Sequence, residues 1–216
     1  MQNRTIDIIQ LYKYSFGRFR KYASFVIGIM ITYYVFAVVP HIYFALRAPA
    51  EPTSQTQFIS FALTLIQLYL SLGFIKIMLF LIDDRYVRVA DLFNNVRPFL
   101  SYFVASFLYG IATLVGLFLL VVPGIYIAIR LQFYPYYIIE QGDSSIEALR
   151  KSFNSTQDLT LDLFLFGITV LAANVLGVLL FGLGIVFTYP LTTMATAVIY
   201  RGLLNDAQHL PTETYR

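Results

Sequence analysis

The chain has 216 residues, of which 58% are hydrophobic and 12% are charged, and its formal net charge is +3. Soluble domains carry about a quarter charged residues, and so short a chain buries too small a share of its surface to hide this much apolar area. The composition therefore excludes an ordinary soluble domain and predicts an integral membrane protein.

The N-terminal segment predicts a short amphipathic helix. Its cations include Arg18, Arg20 and Lys21, and its apolar residues recur at helical spacing: Ile8, Ile9, Tyr12, Phe16 and Phe19. Such a helix either lies in the membrane interface with its cations towards anionic head groups or packs beneath the bundle as a cap, and both alternatives stay open. A cleaved signal peptide within residues 1–50 is disfavoured, because the apolar run is too long and starts too late.

The apolar segments that follow predict six spanning helices. A helix of about 20 apolar residues crosses a bilayer, and residues 99–140 and 161–203 are each about twice that length. Pro123–Gly124 and Gly182–Gly184 lie near their midpoints and favour turns. We therefore predict three hairpins with helices at 23–46, 58–82, 99–122, 124–140, 161–181 and 184–203.

Amphipathic segments also precede the second and third hairpins. Their apolar positions are Val89, Leu92, Phe93 and Val96 in one segment, and Ile146, Leu149 and Phe153 in the other. Their cations are Arg88 and Arg97, and Arg150 and Lys151. Ser144 and Glu147 match a capping box, which marks a helix start. The predicted fold class is thus all-α: a polytopic membrane protein in which a cytoplasmic interfacial helix precedes each hairpin.

Short matches between these units predict an internal parallel repeat. Gly110-Ile111 aligns with Gly167-Ile168, and Gly124-Ile125 aligns with Gly184-Ile185. Residues 1–216 would form one membrane domain with units at about 5–82, 83–142 and 143–203 and a cytoplasmic tail at 204–216.

The distribution of Lys and Arg predicts the orientation. In a six-helix arrangement twelve of these cations fall on the side of the termini, and only Arg47 falls on the other. Because cytoplasmic loops carry the excess of Lys and Arg, we expect both termini in the cytoplasm.

One part of the sequence resembles a known family. The run Pro123–Arg130, then Glu140, then Ser145–Ser152 is similar to a large prokaryotic family of six-helix membrane proteins, which includes the membrane domain of some glycerophosphodiester phosphodiesterases. The resemblance is best over residues 99–203. It implies a six-helix fold in the bacterial cytoplasmic (inner) membrane. The family has no agreed biochemical activity, so the resemblance implies no reaction.

Four polar residues in the predicted spans are candidates for binding an anion or a lipid: Lys76, Arg130, Gln132 and Asn174. A charge within the bilayer costs at least about 2.5 kcal/mol and needs a partner or a wet cavity. Arg130 therefore either binds an anion such as a lipid phosphate, or bonds backbone carbonyls and polar side chains and holds the bundle together. Lys76 either belongs to that site or extends its amine to the interface.

The sequence offers little for catalysis. It has no cysteine and two histidines, and it contains no HExxH, GxSxG or P-loop motif, so we expect no catalytic residue, metal or cofactor. The excess of Lys and Arg on the cytoplasmic side accounts for the basic residues, so we expect no binding of nucleic acid. Two functions remain: a scaffold, accessory subunit or envelope assembly factor that contacts lipids and other subunits or itself, and a lipid-handling or solute-transport protein with a cavity around Arg130.

Overall fold

The computed structural model describes residues 6–47, 53–179 and 184–207, and every regular element in these ranges is helical. The helices are α1 (Ile8–Lys21), α2 (Ala23–Tyr33), α3 (Val39–Arg47), α4 (Ser54–Ile82), α5 (Val96–Leu119), α6 (Val121–Leu131), α7 (Tyr134–Gln141), α8 (Ser145–Ser155), α9 (Thr160–Leu179) and α10 (Ile185–Ala207). A π-helical turn, Tyr34–Val38, joins α2 to α3, and two 3₁₀ turns lie at Val89–Leu92 and Gln157–Leu159.

Four helical segments are long and apolar enough to cross a membrane: Ala23–Arg47, Ser54–Ile82, Val96–Leu119 and Gln157–Leu179. These agree with four of the six predicted spans to within a few residues at each end. Helix α10 has 23 residues, but its threonines and Arg201 make it less apolar. Helices α6 and α7 have 11 and 8 residues, so neither is long enough to cross alone.

The predicted turn at Pro123–Gly124 and the predicted single helix over 124–140 are both wrong. The chain breaks at Leu120, where the backbone is extended, and Pro123 lies in the first turn of α6. Proline is tolerated there because the N–H that it lacks would have no partner within the helix. A second break separates α6 from α7 just before Pro135, which occupies the first turn of α7.

The glycines near these breaks allow helices to approach closely. A Cβ placed on Gly116 would lie 2.8 Å from the Cα of Gly124, which puts α5 and α6 in backbone contact. The same relation holds between Gly177 and Gly184, where a Cβ on Gly184 would lie 2.8 Å from the Cα of Gly177. The rest of the predicted turn near Gly182 lies outside the described residues. Small residues at such contacts are typical of membrane helices.

Helix α4 lies at the centre of the bundle and α5 and α9 lie at its edge. Half of the most apolar stretch of α4 is buried, with Leu72, Phe74 and Ile77 fully enclosed. In α5 and α9 only 17% of the corresponding stretch is buried. Large side chains such as Phe118 and Leu171 therefore face outward, which is the arrangement that a lipid solvent permits.

The amphipathic helix predicted over Val89–Val96 is wrong, because only a 3₁₀ turn forms there. The Asn95 side chain donates to the carbonyls of Asp91 and Leu92, at 2.9 and 3.1 Å, and so competes with a continuing helix. This turn packs directly on α4: a Cβ on Gly73 would lie 2.2 Å from the Leu92 carbonyl oxygen.

The other two amphipathic segments are helices, as predicted, and both pack on the bundle. Helix α1 buries Leu11, Ser15 and Phe19 but leaves Ile9 and Phe16 exposed. Helix α8 begins after Ser144, but the predicted capping box is wrong, because the Ser144 side chain makes no capping hydrogen bond. Its buried residues are Ala148 and Ser152, whereas Ile146 is exposed. Each helix thus serves as a cap and still presents apolar side chains outward.

Candidate functional site

Charged residues from distant parts of the chain meet at one end of the bundle in what we call the Asp83 cluster: Asp83, Arg85, Glu140 and Arg201. The Arg201 guanidinium donates two hydrogen bonds to Asp83, one of them 2.9 Å from Nε to Oδ1, and a third to Glu140. Arg85 lies 3.4 Å from both acids. The cluster therefore joins the ends of α4, α7 and α10.

Asp84 ties α1 to the same end. It has a left-handed backbone (φ 57°) directly after the last turn of α4, and the Arg85 N–H closes that turn on the Phe80 carbonyl at 3.0 Å. Its carboxylate accepts hydrogen bonds from Lys21, Tyr22 and Arg18. Hydrogen bonds from Lys21, then Tyr22 and Arg18, lower the pKa of Asp84 well below its ordinary value.

Arg130 lies near the end of α6 and is almost fully buried, at 3% exposure. Its Nε donates to the Phe153 carbonyl at 3.0 Å and to Thr156 Oγ1 at 3.1 Å. Its NH1 donates to the Tyr126 hydroxyl, and its NH2 donates to the Phe153 carbonyl as well. The guanidinium carbon lies 3.9 Å from the centroid of the Phe153 ring.

These contacts place a cation at the C-terminus of α8, where the last carbonyls have no partner within the helix. The linkage is reciprocal, since Ser152 Oγ donates to the Arg130 carbonyl at 2.8 Å and accepts from the Phe133 N–H at 3.1 Å. Arg130 and Ser152 thus lock the break between α6 and α7 onto α8. The guanidinium is occupied by protein groups.

Arg130, Gln132 and Asn174, which were predicted to line one cavity, each form hydrogen bonds with different partners. Within the described residues, Gln132 Nε2 donates to the Ile129 carbonyl at 3.0 Å, which is a local contact. Asn174 accepts from Thr188 Oγ1 at 3.2 Å and lies 3.4 Å from Thr192 Oγ1, so it joins α9 to α10. The three side chains therefore serve three separate contacts.

Lys76 lies on a cleft of about 780 Å³ between α4, the start of α5 and the end of α7, which we call the Lys76 cleft. The cleft is also lined by Arg97, Asp143 and Ile138. Lys76 Nζ lies 3.4 Å from the Asn94 carbonyl oxygen, beyond the usual range for such a bond. Glu140 does not pair with Lys76, because its carboxylate accepts hydrogen bonds from Arg85 and Arg201 in the Asp83 cluster.

The predicted interfacial cations divide into paired and unpaired groups. Arg18 and Lys21 bind Asp84, and Lys151 binds Asp143 at 2.7 Å. The other four are exposed and form no ion pair with any described residue: Arg20, Arg88, Arg97 and Arg150.

The sequence analysis missed the acidic partners Asp83, Asp84 and Asp143. A signal was available, because Asp83 and Asp84 directly follow the apolar run of α4 on the side where Lys and Arg are in excess. Acids in that position need cations nearby. What the sequence could not give was which cation, since Arg201 is 118 residues away from Asp83.

Comparisons of the chain with protein-family models, with curated proteins and with solved structures gave no match. None of them therefore links the chain to the six-helix family that residues 99–203 resemble.

Proposed function

We propose that this chain is a non-catalytic integral membrane protein that acts as a scaffold, accessory subunit or envelope assembly factor through its outer faces. The observation that carries the proposal is that the polar side chains in its apolar helices bond to other parts of the protein. Arg130 and Asn174 bond to neighbouring helices, and the large apolar side chains of α5 and α9 face outward. Such faces suit lipid and the helices of a partner.

We also propose that the chain crosses the bacterial cytoplasmic membrane six times, with both termini in the cytoplasm. The Asp83 cluster and Asp84 support an even number of crossings, because they join the end of α1 to the ends of α4, α7 and α10. Helix α4 has 29 residues, which is about 43 Å and enough to cross a hydrocarbon core of about 30 Å.

Helices α6 and α7 would make the fourth crossing together as a broken helix. The segment Val121–Gln141 is long enough to return from the break at Leu120 to the Asp83 cluster, where Glu140 pairs with Arg201. Breaks within a membrane are tolerated where protein groups bond the freed backbone. At this break the Ser152 hydroxyl bonds the Arg130 carbonyl and the Phe133 N–H.

A scaffold should have neighbours, and photo-crosslinking tests this directly. A photo-crosslinking amino acid at Leu171, which is 66% exposed on α9, should capture a protein when irradiated in native membranes. The matched control is Leu163 on the same helix, which is fully buried and should yield only internal products.

Native mass spectrometry of the full chain in mild detergent provides the second readout. We expect a mass above that of the monomer, from a second copy or from another subunit. A chain that is always monomeric and yields no crosslinked protein from Leu171 would contradict the proposal.

A further inference from the structure

The Lys76 cleft contains two cationic groups, Lys76 and Arg97, that form no ion pair with a described residue. Arg97 is exposed and makes no hydrogen bond or ion pair within the described residues. Lys76 has a long contact with the Asn94 carbonyl and lies over the Phe80 ring, 5.9 Å from its centroid. Helix α5 begins at Val96, and its cap residue Asn95 makes no side-chain capping bond. The N–H groups of Val96 and Arg97, at the start of a 24-residue helix whose third residue is Pro98, therefore meet two cationic side chains at one place, which favours an anion.

The same cleft also contains an acidic oxygen without a donor. Asp143 is 9% exposed, and its Oδ1 accepts from Lys151 Nζ at 2.7 Å. Its Oδ2 is buried and has no hydrogen-bond partner. A buried carboxylate oxygen without a donor is costly, so such a group calls for a ligand that brings one.

We propose that the Lys76 cleft binds a phosphoethanolamine group, the head group of a zwitterionic phospholipid. Its phosphate would contact Lys76, Arg97 and the N-terminus of α5, and its ammonium would donate to Asp143 Oδ2. Guanidinium suits the phosphate oxygens, and an ammonium supplies the donor that the carboxylate lacks. A phosphate alone would satisfy the cations but not Asp143.

The position and the walls of the cleft favour a lipid over a free solute, and this step rests on the proposed membrane topology. Lys76 lies six residues before the end of α4, about 9 Å from the charged end of the bundle, which is the depth of a head group. Ile138, Ile139 and Val96 line the cleft beside the charged groups. Its volume of about 780 Å³ lies within the range of about 300–1,000 Å³ that is usual for ligand sites.

Retention of lipid by the full chain tests the proposal. The wild type and three variants are equilibrated in mild detergent with equal amounts of phosphatidylethanolamine and phosphatidylglycerol, and bound lipid is counted by native mass spectrometry. We expect the wild type to retain one phosphatidylethanolamine. Arg97→Gln should lower retention at least fivefold, whereas Arg150→Gln, which removes the same charge from an exposed position outside the cleft, should not change it.

The third variant tests the ammonium contact. Asp143→Asn keeps an oxygen for Lys151 but removes the negative charge, so it should abolish the preference for phosphatidylethanolamine over phosphatidylglycerol. Thermal unfolding of each variant identifies any variant that fails to fold. If Asp143→Asn fails to fold, the comparison of Arg97→Gln with Arg150→Gln remains as the test.

Two results would overturn the assignment. One is equal retention of both lipids with no difference between Arg97→Gln and Arg150→Gln. The other is displacement of the lipid by millimolar soluble phosphoethanolamine or inorganic phosphate, which would assign the cleft to a solute. A bound lipid and a bound subunit add different masses, so failure of this site is distinguishable from failure of the scaffold proposal.

Discussion

Arg130 and the Lys76 cleft treat cationic groups in opposite ways. Arg130 is buried, and its guanidinium bonds to the Phe153 carbonyl, Thr156 and Tyr126. In the cleft, Arg97 has no partner and Asp143 Oδ2 has no donor within the described residues. The difference is that the C-terminus of α8 meets Arg130, whereas the N-terminus of α5 meets further positive charge.

A charge near a membrane is therefore structural or available for a ligand according to which helix end faces it. A guanidinium beside the carbonyl end of a helix stabilises that end and needs nothing else. The same group beside an N–H end stays free for an anion.

Replacing Arg130 should destabilise the fold most. Arg130→Met leaves the Phe153 carbonyl and Thr156 without their donor in a buried site, and we expect a loss of about 3 kcal/mol in the free energy of unfolding. Unfolding of the purified chain by increasing SDS in mixed micelles measures this loss. Arg97→Gln is the matched control and should change stability by less than about 0.5 kcal/mol. An equal loss in the free energy of unfolding for the two variants would contradict the different roles of Arg130 and Arg97.

Gly73→Ala should have the next largest effect, because its Cβ would lie 2.2 Å from the Leu92 carbonyl oxygen. The turn that carries Leu92 and Asn95 must move, at a cost of about 2 kcal/mol, and the Lys76 cleft should lose its shape. The same unfolding experiment and the lipid count measure both effects. Gly110→Ala meets nothing within 4 Å and should leave both unchanged or raise stability slightly. A Gly73→Ala chain with wild-type stability would contradict the close packing.

The sequence predicted the helices better than their interruptions. Periodicity correctly located α1 and α8, and hydropathy located the four long apolar segments, because both patterns depend on neighbours along the chain. The break at Leu120 was not predicted because that residue is neither glycine nor proline. The turn at Val89–Leu92 was not predicted because it packs on Gly73 of another helix.

The candidate site was predicted only in part. Lys76 was predicted as a binding candidate and Arg97 as an interfacial cation, but nothing local associates them with Asp143 in one cleft. Arg130 was recognised as a charge in need of partners, yet the sequence could not choose between an anion and the Phe153 carbonyl, which is 23 residues away.

Breaking the Asp83 cluster should have a smaller effect, since these ion pairs are partly solvated. Arg201→Gln removes a bidentate contact with Asp83 and a bond to Glu140, and we expect a loss of about 1 kcal/mol. A double-mutant cycle with Glu140→Gln in the SDS experiment isolates that pair. If the two substitutions show no coupling free energy, the Arg201–Glu140 pair does not join α10 to α7.

The smallest effect should be the dependence of α1 on pH. Because its contacts lower the pKa of Asp84, the attachment of α1 is complete above the ordinary value of about 3.8 and weakens as the pH falls below it. Hydrogen exchange of α1 amides, corrected for intrinsic rates and referenced to α4, should rise at pH 3 relative to pH 6. In Asp84→Asn exchange should already be raised at pH 6 and change little further. Identical protection in both chains at pH 6 would show that Asp84 does not hold α1.

Cysteine labelling measures on which side of the membrane each helix end lies, because the chain has no cysteine of its own and each introduced thiol is unique. A membrane-impermeant maleimide added outside intact cells should label Ser54→Cys, at the start of α4, and Leu120→Cys, just after the end of α5. Both positions lie at the helix ends opposite the Asp83 cluster. It should label Arg88→Cys and Arg150→Cys only after the membrane is opened. Labelling of Arg150→Cys from outside, or protection of Leu120→Cys, would contradict six crossings with the charged end in the cytoplasm.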